Sequence, residues 1–193
     1  MKQTMIIRLM TAAGLLIQGA FGANLIKNGG FEKPLAPAGA YRCFNTGQTF
    51  AGWTVVGATG NVCIVSGTYT FNGYTFPPEA GAQALDLTGG TNVATGVSQN
   101  FATTPGAAYT LTFWVGNLVY PGLGPTSTVN VLVNGVQVYT ATNSLGTGST
   151  SAVWQKFTAT ITSLTTSTSI AFINGDPAND NYNGLDGISL VAQ

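Results

Sequence analysis

The chain has 193 residues, of which 45% are hydrophobic and only 6% are charged, with six basic residues, six acidic residues and no histidine. This length favours one domain built around a single core. Without a basic patch the sequence does not fit a nucleic-acid-binding protein. Without histidine it cannot form a Ser-His-Asp triad, and its two cysteines are too few for a structural zinc site.

The N-terminus has the pattern of a signal peptide. Lys2 and Arg8 precede an apolar run at residues 9–17, and mostly small residues follow at 18–23. A charged region, a short apolar region and small residues at a cleavage site are typical of secretion signals, and the run is too short to span a bilayer. A buried N-terminal helix is the alternative. We therefore predict a signal peptide over 1–23, cleaved near Gly22 or Ala23, and one secreted domain over 24–193 without a membrane anchor.

The remaining chain has the pattern of an all-β protein. Short segments rich in Val, Thr, Tyr, Phe and Ile alternate with Gly, Asn and Pro about every ten residues, which is typical of sandwiches and barrels. The predicted strands cover residues 25–26, 53–56, 62–65, 82–87, 96–101, 108–115, 128–133, 137–140, 154–162, 167–173 and 185–191. Eleven short strands predict a two-sheet antiparallel β-sandwich, a jelly roll.

Two segments carry the strand pattern most clearly. In residues 109–115, Leu111 and Phe113 point to one face of the sheet and Trp114 points to the other. Asn134 and Gly135 lie between two alternating segments, which predicts a type I′ hairpin turn.

Cys43 and Cys63 are the only cysteines. In an exported protein a pair of cysteines predicts a disulfide. Two buried free thiols are the alternative.

Several segments together resemble a known group of exported domains. Asn-Leu-Ile-Lys-Asn-Gly-Gly-Phe-Glu at 24–32 is followed in order by characteristic segments at 52–55, 83–87, 97–101, 105–113 and 185–190. The ordered set resembles the galactose-binding-like jelly-roll domains of bacterial choice-of-anchor proteins and plant cell-wall proteins, and more distantly carbohydrate-binding modules. Two features differ from the group: a C-terminal sorting tail is missing, and the usual acidic pair near the end is Asp186-Gly187.

The resemblance implies a structural calcium site. The corresponding positions in such modules often bind Ca²⁺, a cation that takes six to eight oxygen ligands. If the first and last strands are neighbours, Glu32 and Asp186 come together, and two close carboxylates repel unless a cation lies between them. We predict Glu32, Asp186 and Asn28 as ligands. Alternatively, Glu32 caps backbone amides and Asp186 lies in a turn.

The remaining acidic residues give weaker signals. Asp176 and Asp180 lie in a loop dense in oxygen ligands that lacks the spacing of an EF-hand, so an Asx-rich turn is favoured over a second metal site. Asp86 either faces solvent or binds a loop amide.

Aromatic residues supply candidate ligand platforms. Tyr69, Tyr74 and Phe76 are concentrated in one short segment, and Trp114 lies opposite the apolar face of its strand. Sugar rings stack on exposed aromatic rings, so we predict these four residues as ligand-binding. The alternative is that aromatics of this segment close one end of the core.

Catalysis is not expected from this sequence. A glycosidase needs two carboxylates about 5.5 Å or about 6.5–9.5 Å apart across a cleft, and no spacing among the free acidic residues singles out a pair. We therefore predict no enzyme, but a monomeric, exported, non-catalytic carbohydrate-binding domain that acts at the cell surface or in extracellular matrix on a polysaccharide or glycan. A structural or adhesive matrix protein that binds other proteins through sheet edges is the alternative, and a glycan-cleaving enzyme is third.

Overall fold

A computed structural model describes residues 22–177 and 182–193. The predicted signal peptide therefore lies almost entirely outside the described residues, as does Asp180. Fourteen strands are found in the described ranges: β1 (Tyr41–Asn45), β2 (Thr49–Phe50), β3 (Trp53–Gly57), β4 (Asn61–Ser66), β5 (Thr70–Phe71), β6 (Tyr74–Thr75), β7 (Gln83–Asp86), β8 (Thr95–Ala102), β9 (Ala108–Leu118), β10 (Ser127–Val133), β11 (Val136–Asn143), β12 (Val153–Thr162), β13 (Ser167–Asn174) and β14 (Tyr182–Ala192). Over the same residues no helix is long and apolar enough to cross a membrane.

The strands form two large antiparallel sheets and one small hairpin. Sheet A has the order β1-β4-β7-β14-β9-β12, and sheet B has the order β11-β10-β13-β8-β3-β2. Strands β5 and β6 pair with each other and form a separate hairpin, and Thr75 of β6 also forms an isolated bridge with Ser151. The predicted all-β, two-sheet jelly roll is confirmed.

The main core lies between the two sheets. Leu111, Phe113 and Val115 of β9 have no exposed surface, as the alternating pattern predicts. The ring of Phe113 lies 5.3 Å from that of Phe172 in sheet B, and Phe172 contacts Trp53 at 6.2 Å. Burying a side chain of this size contributes roughly 1.5–3 kcal/mol, so this contact between the sheets is a principal source of stability.

The predicted hairpin turn is also confirmed. Strands β10 and β11 pair from Val133 and Val136 onward, and the two intervening residues, Asn134 and Gly135, have φ values of 49° and 81°. Positive φ at both central residues is what a type I′ turn requires.

The N-terminal segment differs from the prediction. Residues 25–26 form no strand, although the Leu25 amide donates to the Leu190 carbonyl at 2.9 Å and the Ile188 amide donates to the Gly29 carbonyl at 3.0 Å. Positive φ at Asn28 and Phe31 turns the chain away from a regular ladder. The segment nevertheless lies against the last strand.

The predicted disulfide is present. Cys43 of β1 is bonded to Cys63 of β4, and the two residues are paired in the sheet register. The bond closes a loop with a sequence separation of 20 residues, which corresponds to about 3 kcal/mol in the chain-entropy model. It holds β1, an edge strand that the sequence pattern missed, onto sheet A.

Candidate functional site: an aromatic cavity on the outer face of sheet A

A second buried cluster lies on the face of sheet A that points away from the main core. Leu85 of β7 belongs to the main core, so its neighbour Asp86 points to the opposite face. Cys63 is the register partner of Asp86 on one side, and Tyr182 of β14 contributes to the same outer cluster. Aromatic residues from the segment around the β5–β6 hairpin pack over this face.

These elements line an open cavity of about 510 Å³, which is within the usual range for small-molecule sites. Its walls are mostly aromatic and aliphatic, and among the residues that line it Asp86 is the only charged group. The lining residues are Tyr41, Cys63, Val65, Tyr69, Phe71, Phe76, Asp86, Thr88, Gly89, Gly90, Tyr120, Leu123 and Tyr182.

Asp86 is held at the wall of this cavity. One carboxylate oxygen, Oδ1, accepts hydrogen bonds from the amides of Thr88 at 3.0 Å and Asn183 at 3.4 Å. The side chain keeps some exposed surface because it opens into the cavity, while protein surrounds the carboxyl elsewhere. Burial raises the pKa of Asp86 from 3.8 to about 7, although hydrogen bonds from Thr88, Asn183 and Gly89 lower it in part. Near neutral pH the group can therefore both donate and accept a proton.

Tyr182 places a second polar group in the same wall. The residue is only 3% exposed, and no described residue is a hydrogen-bond partner of its hydroxyl. Burial raises its pKa well above the ordinary value, and the nearby charge of Asp86 raises it further. The ring is fixed by edge contacts with Phe76 at 5.2 Å and Trp154 at 6.3 Å. Its hydroxyl is thus a neutral, positioned donor.

Three of the four predicted aromatic ligand residues lie at this site. Tyr69 and Phe76 line the cavity, and Tyr74 packs beside it with its ring 4.8 Å from that of Tyr120. Trp114 lies elsewhere on the outer face, where the Lys156 Nζ is 6.0 Å from its ring centroid. The structure thus separates Trp114 from the other three, and ligand binding by all four residues stays a prediction.

The predicted metal ligands lie at a different place. Glu32 Cγ and Asp186 Oδ1 are both within 4 Å of the position that a Cβ atom would take at Gly30, so the Glu32 side chain begins near the Asp186 carboxyl group. Both side chains also bind the same loop: Glu32 Oε1 accepts the Ala82 amide at 2.9 Å, and Asp186 Oδ2 accepts the Glu79 amide at 3.0 Å. The alternative interpretation of Glu32, a cap on backbone amides, describes these contacts as well.

Asp186 is the second carboxyl group with a strongly shifted pKa. Burial raises its pKa to about 7, the hydrogen bonds from the amides of Ala80, Gly187 and Glu79 lower it in part, and the charge of Glu79 raises it further. Asn28 uses its side-chain oxygen and nitrogen on the backbone of Lys33, at 3.0 and 2.7 Å. Over residues 22–177 and 182–193, no group of three or more His, Cys, Asp or Glu side chains could hold a metal ion. Any cation here would depend on backbone or amide oxygens in addition to the two carboxylates.

Sequence reasoning missed the central residues of the cavity, Asp86 and Tyr182. Asp86 does bind a loop amide, which was one of the two expected alternatives. The available signal was its position directly after two buried residues, Ala84 and Leu85, in a chain with only six acidic residues. A carboxyl group inside a buried strand is rare unless it is paired or functional.

Solved structures support the fold. A cyclase from Fischerella sp. TAU is 19% identical with a TM-score of 0.58, and the match covers 89% of this chain and 98% of the other. The tandem CBM22-1–CBM22-2 domain of Xyn10C from Paenibacillus barcinonensis is 17% identical with a TM-score of 0.51, over 89% of this chain and 46% of the other. Among curated protein sequences there is no match. The resemblance to jelly rolls of carbohydrate-binding modules is thus confirmed for the fold, while the resemblance to choice-of-anchor proteins stays a prediction.

A protein-family model corrects the predicted function. The model is described as HpiC1-like, HpiC1 cyclase, and it matches residues 23–185. The predictions of a non-catalytic carbohydrate-binding domain and of no enzyme are contradicted by this match. They failed because they looked for a histidine or a pair of carboxylates, whereas proton transfer needs only one carboxyl group with a suitable pKa. Since the match spans most of the sequence, the chain belongs to the HpiC1-like cyclase family.

Proposed function

We propose that this protein is a cyclase whose active site is the aromatic cavity and whose proton donor is Asp86. The observation that carries the proposal is a single carboxyl group, with a pKa raised to about 7, that opens into a mostly apolar cavity. Such a group stays protonated for a large part of the time near neutral pH.

The cavity indicates the class of substrate. Because its walls are aromatic and carry one acidic group and no basic one, it favours an uncharged, largely hydrocarbon molecule over a sugar phosphate or another anion. The faces of aromatic rings also attract positive charge. The rings of Tyr69, Phe76 and Tyr120 can therefore stabilise a carbocation as it forms. We propose an acyclic alkene-bearing compound of terpenoid size as the substrate.

The reaction is written as a net isomerisation. Asp86 transfers its proton to one carbon of an alkene, the π electrons form the new C–H bond, and the other alkene carbon becomes cationic. A second π bond of the same molecule attacks this cation and closes the ring. The carboxylate of Asp86 then removes a proton from a carbon beside the new cation, which restores both the acid and a C=C bond. No oxidant or reductant is consumed.

Tyr182 acts as a positioning residue in this proposal. Tyr182 lines the cavity, and its buried hydroxyl, which has no hydrogen-bond partner among the described residues, lies within electrostatic range of Asp86. A buried donor without a partner costs about 1–3 kcal/mol, which a new hydrogen bond can recover in part. The hydroxyl is therefore available to the carboxylate that Asp86 becomes after proton transfer.

Isotope uptake tests the proposal. The protein is incubated in D₂O with a panel of acyclic terpenoids and alkenyl-substituted aromatic compounds, and the products are analysed by mass spectrometry and NMR. Cyclisation begun by Asp86 gives a cyclic isomer that carries one deuterium from the solvent. Asp86→Asn should give no product, whereas Tyr139→Phe, outside the cavity, should behave like the wild type. A cyclic product without deuterium, or full activity of Asp86→Asn, would refute the assigned role.

We also propose that Glu32 and Asp186 bind a structural Ca²⁺. The support is that both side chains bind the loop at residues 79–82 and that burial, together with the charge of Glu79, raises the pKa of Asp186. A bound cation would supply charge compensation and would join the N-terminal segment to β14. Asn28 would contribute only through an oxygen already bonded to the Lys33 amide.

Export as a monomer remains a further proposal. It is supported by the Cys43–Cys63 disulfide, since such bonds persist in oxidising compartments, and by the pattern of residues 1–23. Expression of the whole chain in a bacterial host should give an exported product whose new N-terminus lies near residue 23 and whose mass by light scattering is that of one chain. An uncleaved protein retained in the cytoplasm would contradict it.

A further inference from the structure

One row of residues crosses five neighbouring strands on the outer face of sheet A. Its register pairs join Trp154 to Gly116, Gly116 to Gly184, Gly184 to Asp86, and Asp86 to Cys63. Residues directly opposite each other in an antiparallel pair lie on the same face of the sheet. Trp154 and Asp86 therefore share the outer face, and only two glycines stand between them in the row.

The indole ring of Trp154 lies over both glycines. A Cβ atom added at Gly116 would be 2.9 Å from the Trp154 Cη2 atom, and one added at Gly184 would be 2.8 Å from the same atom. Both distances are shorter than an ordinary contact between carbon atoms, which is about 3.5–4.0 Å. The ring can therefore lie flat against the sheet only because both positions lack a side chain.

The same indole ring fixes the phenol ring of Tyr182. A Cβ atom at Gly184 would be 2.6 Å from Tyr182 Cε1 and 2.9 Å from Tyr182 Cζ, so the phenol also extends over this glycine. The rings of Trp154 and Tyr182 meet edge to face at 6.3 Å and 89°, and Phe76 makes a second edge contact with Tyr182 at 5.2 Å. Because Cζ carries the hydroxyl, the hydroxyl lies near Gly184, the register partner of Asp86.

A hydrogen bond holds Trp154 itself in place. Its Nε1 donates at 2.9 Å to the carbonyl of Pro77, the residue after Phe76, which lines the cavity. Trp154 is half-buried, and it is not among the described residues that line the cavity. Any effect of Trp154 on a reaction in the cavity must therefore pass through the residues that it contacts.

We propose that Trp154 is a positioning residue that holds the phenol of Tyr182 in place relative to Asp86, an inference that rests on the proposed function of the cavity. A ring that packing has already fixed does not have to be ordered during the reaction, so its hydroxyl can meet the new carboxylate without a loss of entropy. Gly116 and Gly184 belong to the same arrangement, because a methyl group at either position would displace the indole.

NMR of the substrate-free protein with labelled tyrosine rings tests this proposal directly. The signals of Tyr182 are assigned by their loss in Tyr182→Phe. A ring packed between Trp154 and Phe76 should flip slowly in the wild type, and Trp154→Phe and Gly116→Ala should raise the flip rate by roughly tenfold or more. Gly116→Ala displaces the indole without removing it. Trp114→Phe is the matched control, because this indole lies elsewhere on the same outer face and should leave the flip rate unchanged.

A double-mutant cycle shows whether Trp154 acts through Tyr182. With a compound that the wild type cyclises, Trp154→Phe should lower kcat by at most about five- to tenfold, the loss expected for Tyr182→Phe. It should lower kcat/KM by the same factor, because it does not contact the substrate. The double variant Trp154→Phe/Tyr182→Phe should be no slower than Tyr182→Phe alone, and Tyr139→Phe should match the wild type.

Two results would overturn the proposal. One is an unchanged flip rate of Tyr182 in folded Trp154→Phe, and the other is losses of kcat that multiply in the double variant. If the wild type cyclises no compound of the panel, the proposed function fails, while the flip rate still decides whether Trp154 fixes Tyr182. Circular dichroism confirms that each variant is folded, and if Gly116→Ala does not fold, Trp154→Phe alone decides.

Discussion

Replacing Asp86 by asparagine should change how the stability of the protein depends on pH. In the folded state burial raises the pKa of Asp86 from 3.8 to about 7. Between these two values the folded protein binds a proton that the unfolded chain has lost. The free energy of unfolding therefore falls as the pH rises through this window, and the destabilisation is complete above about pH 7. Asparagine carries no such proton and shows no such slope.

The magnitude follows from the shift. One pKa unit corresponds to about 1.4 kcal/mol, so a shift of about three units gives a difference on the order of 4 kcal/mol between acidic and alkaline pH. This is an upper bound, because the carboxyl opens into the cavity and retains some contact with water. Asp186 adds a similar slope of its own, but it does so in both proteins and cancels in the comparison.

The assay is urea unfolding followed by tryptophan fluorescence at several values between pH 4 and pH 8.5. We expect the stability of Asp86→Asn minus that of the wild type to rise by 2–4 kcal/mol across this range. The side-chain NH₂ group of the new asparagine can change the free energy of unfolding by a constant amount at every pH, but this would not affect the slope. Parallel pH curves for the two proteins would show that Asp86 has an ordinary pKa when folded, and the argument for an internal proton donor would be lost.

Three further predictions concern the cavity and the metal pair. Tyr182→Phe should lower kcat by roughly five- to tenfold, equivalent to about 1–1.4 kcal/mol of a lost hydrogen bond, and should move the pH profile, while Tyr139→Phe should do neither. Phe76→Ala should weaken binding of an apolar ligand by at least tenfold in a fluorescence titration. Trp114→Ala, which lies outside the cavity, should leave that affinity unchanged. If Trp114→Ala weakened binding and Phe76→Ala did not, the site would lie elsewhere. Removing calcium with a chelator should lower the melting temperature by several degrees, and Glu32→Gln should abolish that difference. If the chelator lowered the melting temperature of Glu32→Gln by as much as that of the wild type, calcium would act elsewhere.

Much of the fold could be predicted because strand alternation is a local signal. The pattern around Phe113 and the Asn134–Gly135 turn each depend on fewer than ten neighbouring residues, and both are found as expected. Strand β1 was missed because its side chains are mostly exposed, so no buried face marks it in the sequence.

The active site could be predicted only in part because it is assembled over long distances in the chain. The aromatic segment that contains Tyr69 and Phe76 was recognised by its composition. The environment of Asp86 depends on Asn183, which is 97 residues away, and on Tyr120 and Tyr182. No local pattern in β7 reveals that other elements will cover its outer face, and this burial is the main cause of the raised pKa of Asp86.

Strand β7 also explains how the fold tolerates a buried acid. Successive side chains of a strand face opposite sides of the sheet, so Leu85 is fully buried in the main core while Asp86 faces the cavity, and Leu87 just after the strand is fully buried as well. Two leucines of this kind contribute roughly 3–6 kcal/mol by burial, which offsets a cost on the order of 4 kcal/mol for keeping the carboxyl out of water at alkaline pH. Burial of these leucines therefore offsets the loss of stability that comes with burying Asp86 on the other face of the sheet. A jelly roll can thus carry a buried acid beneath a hairpin on its outer face without a change in its core.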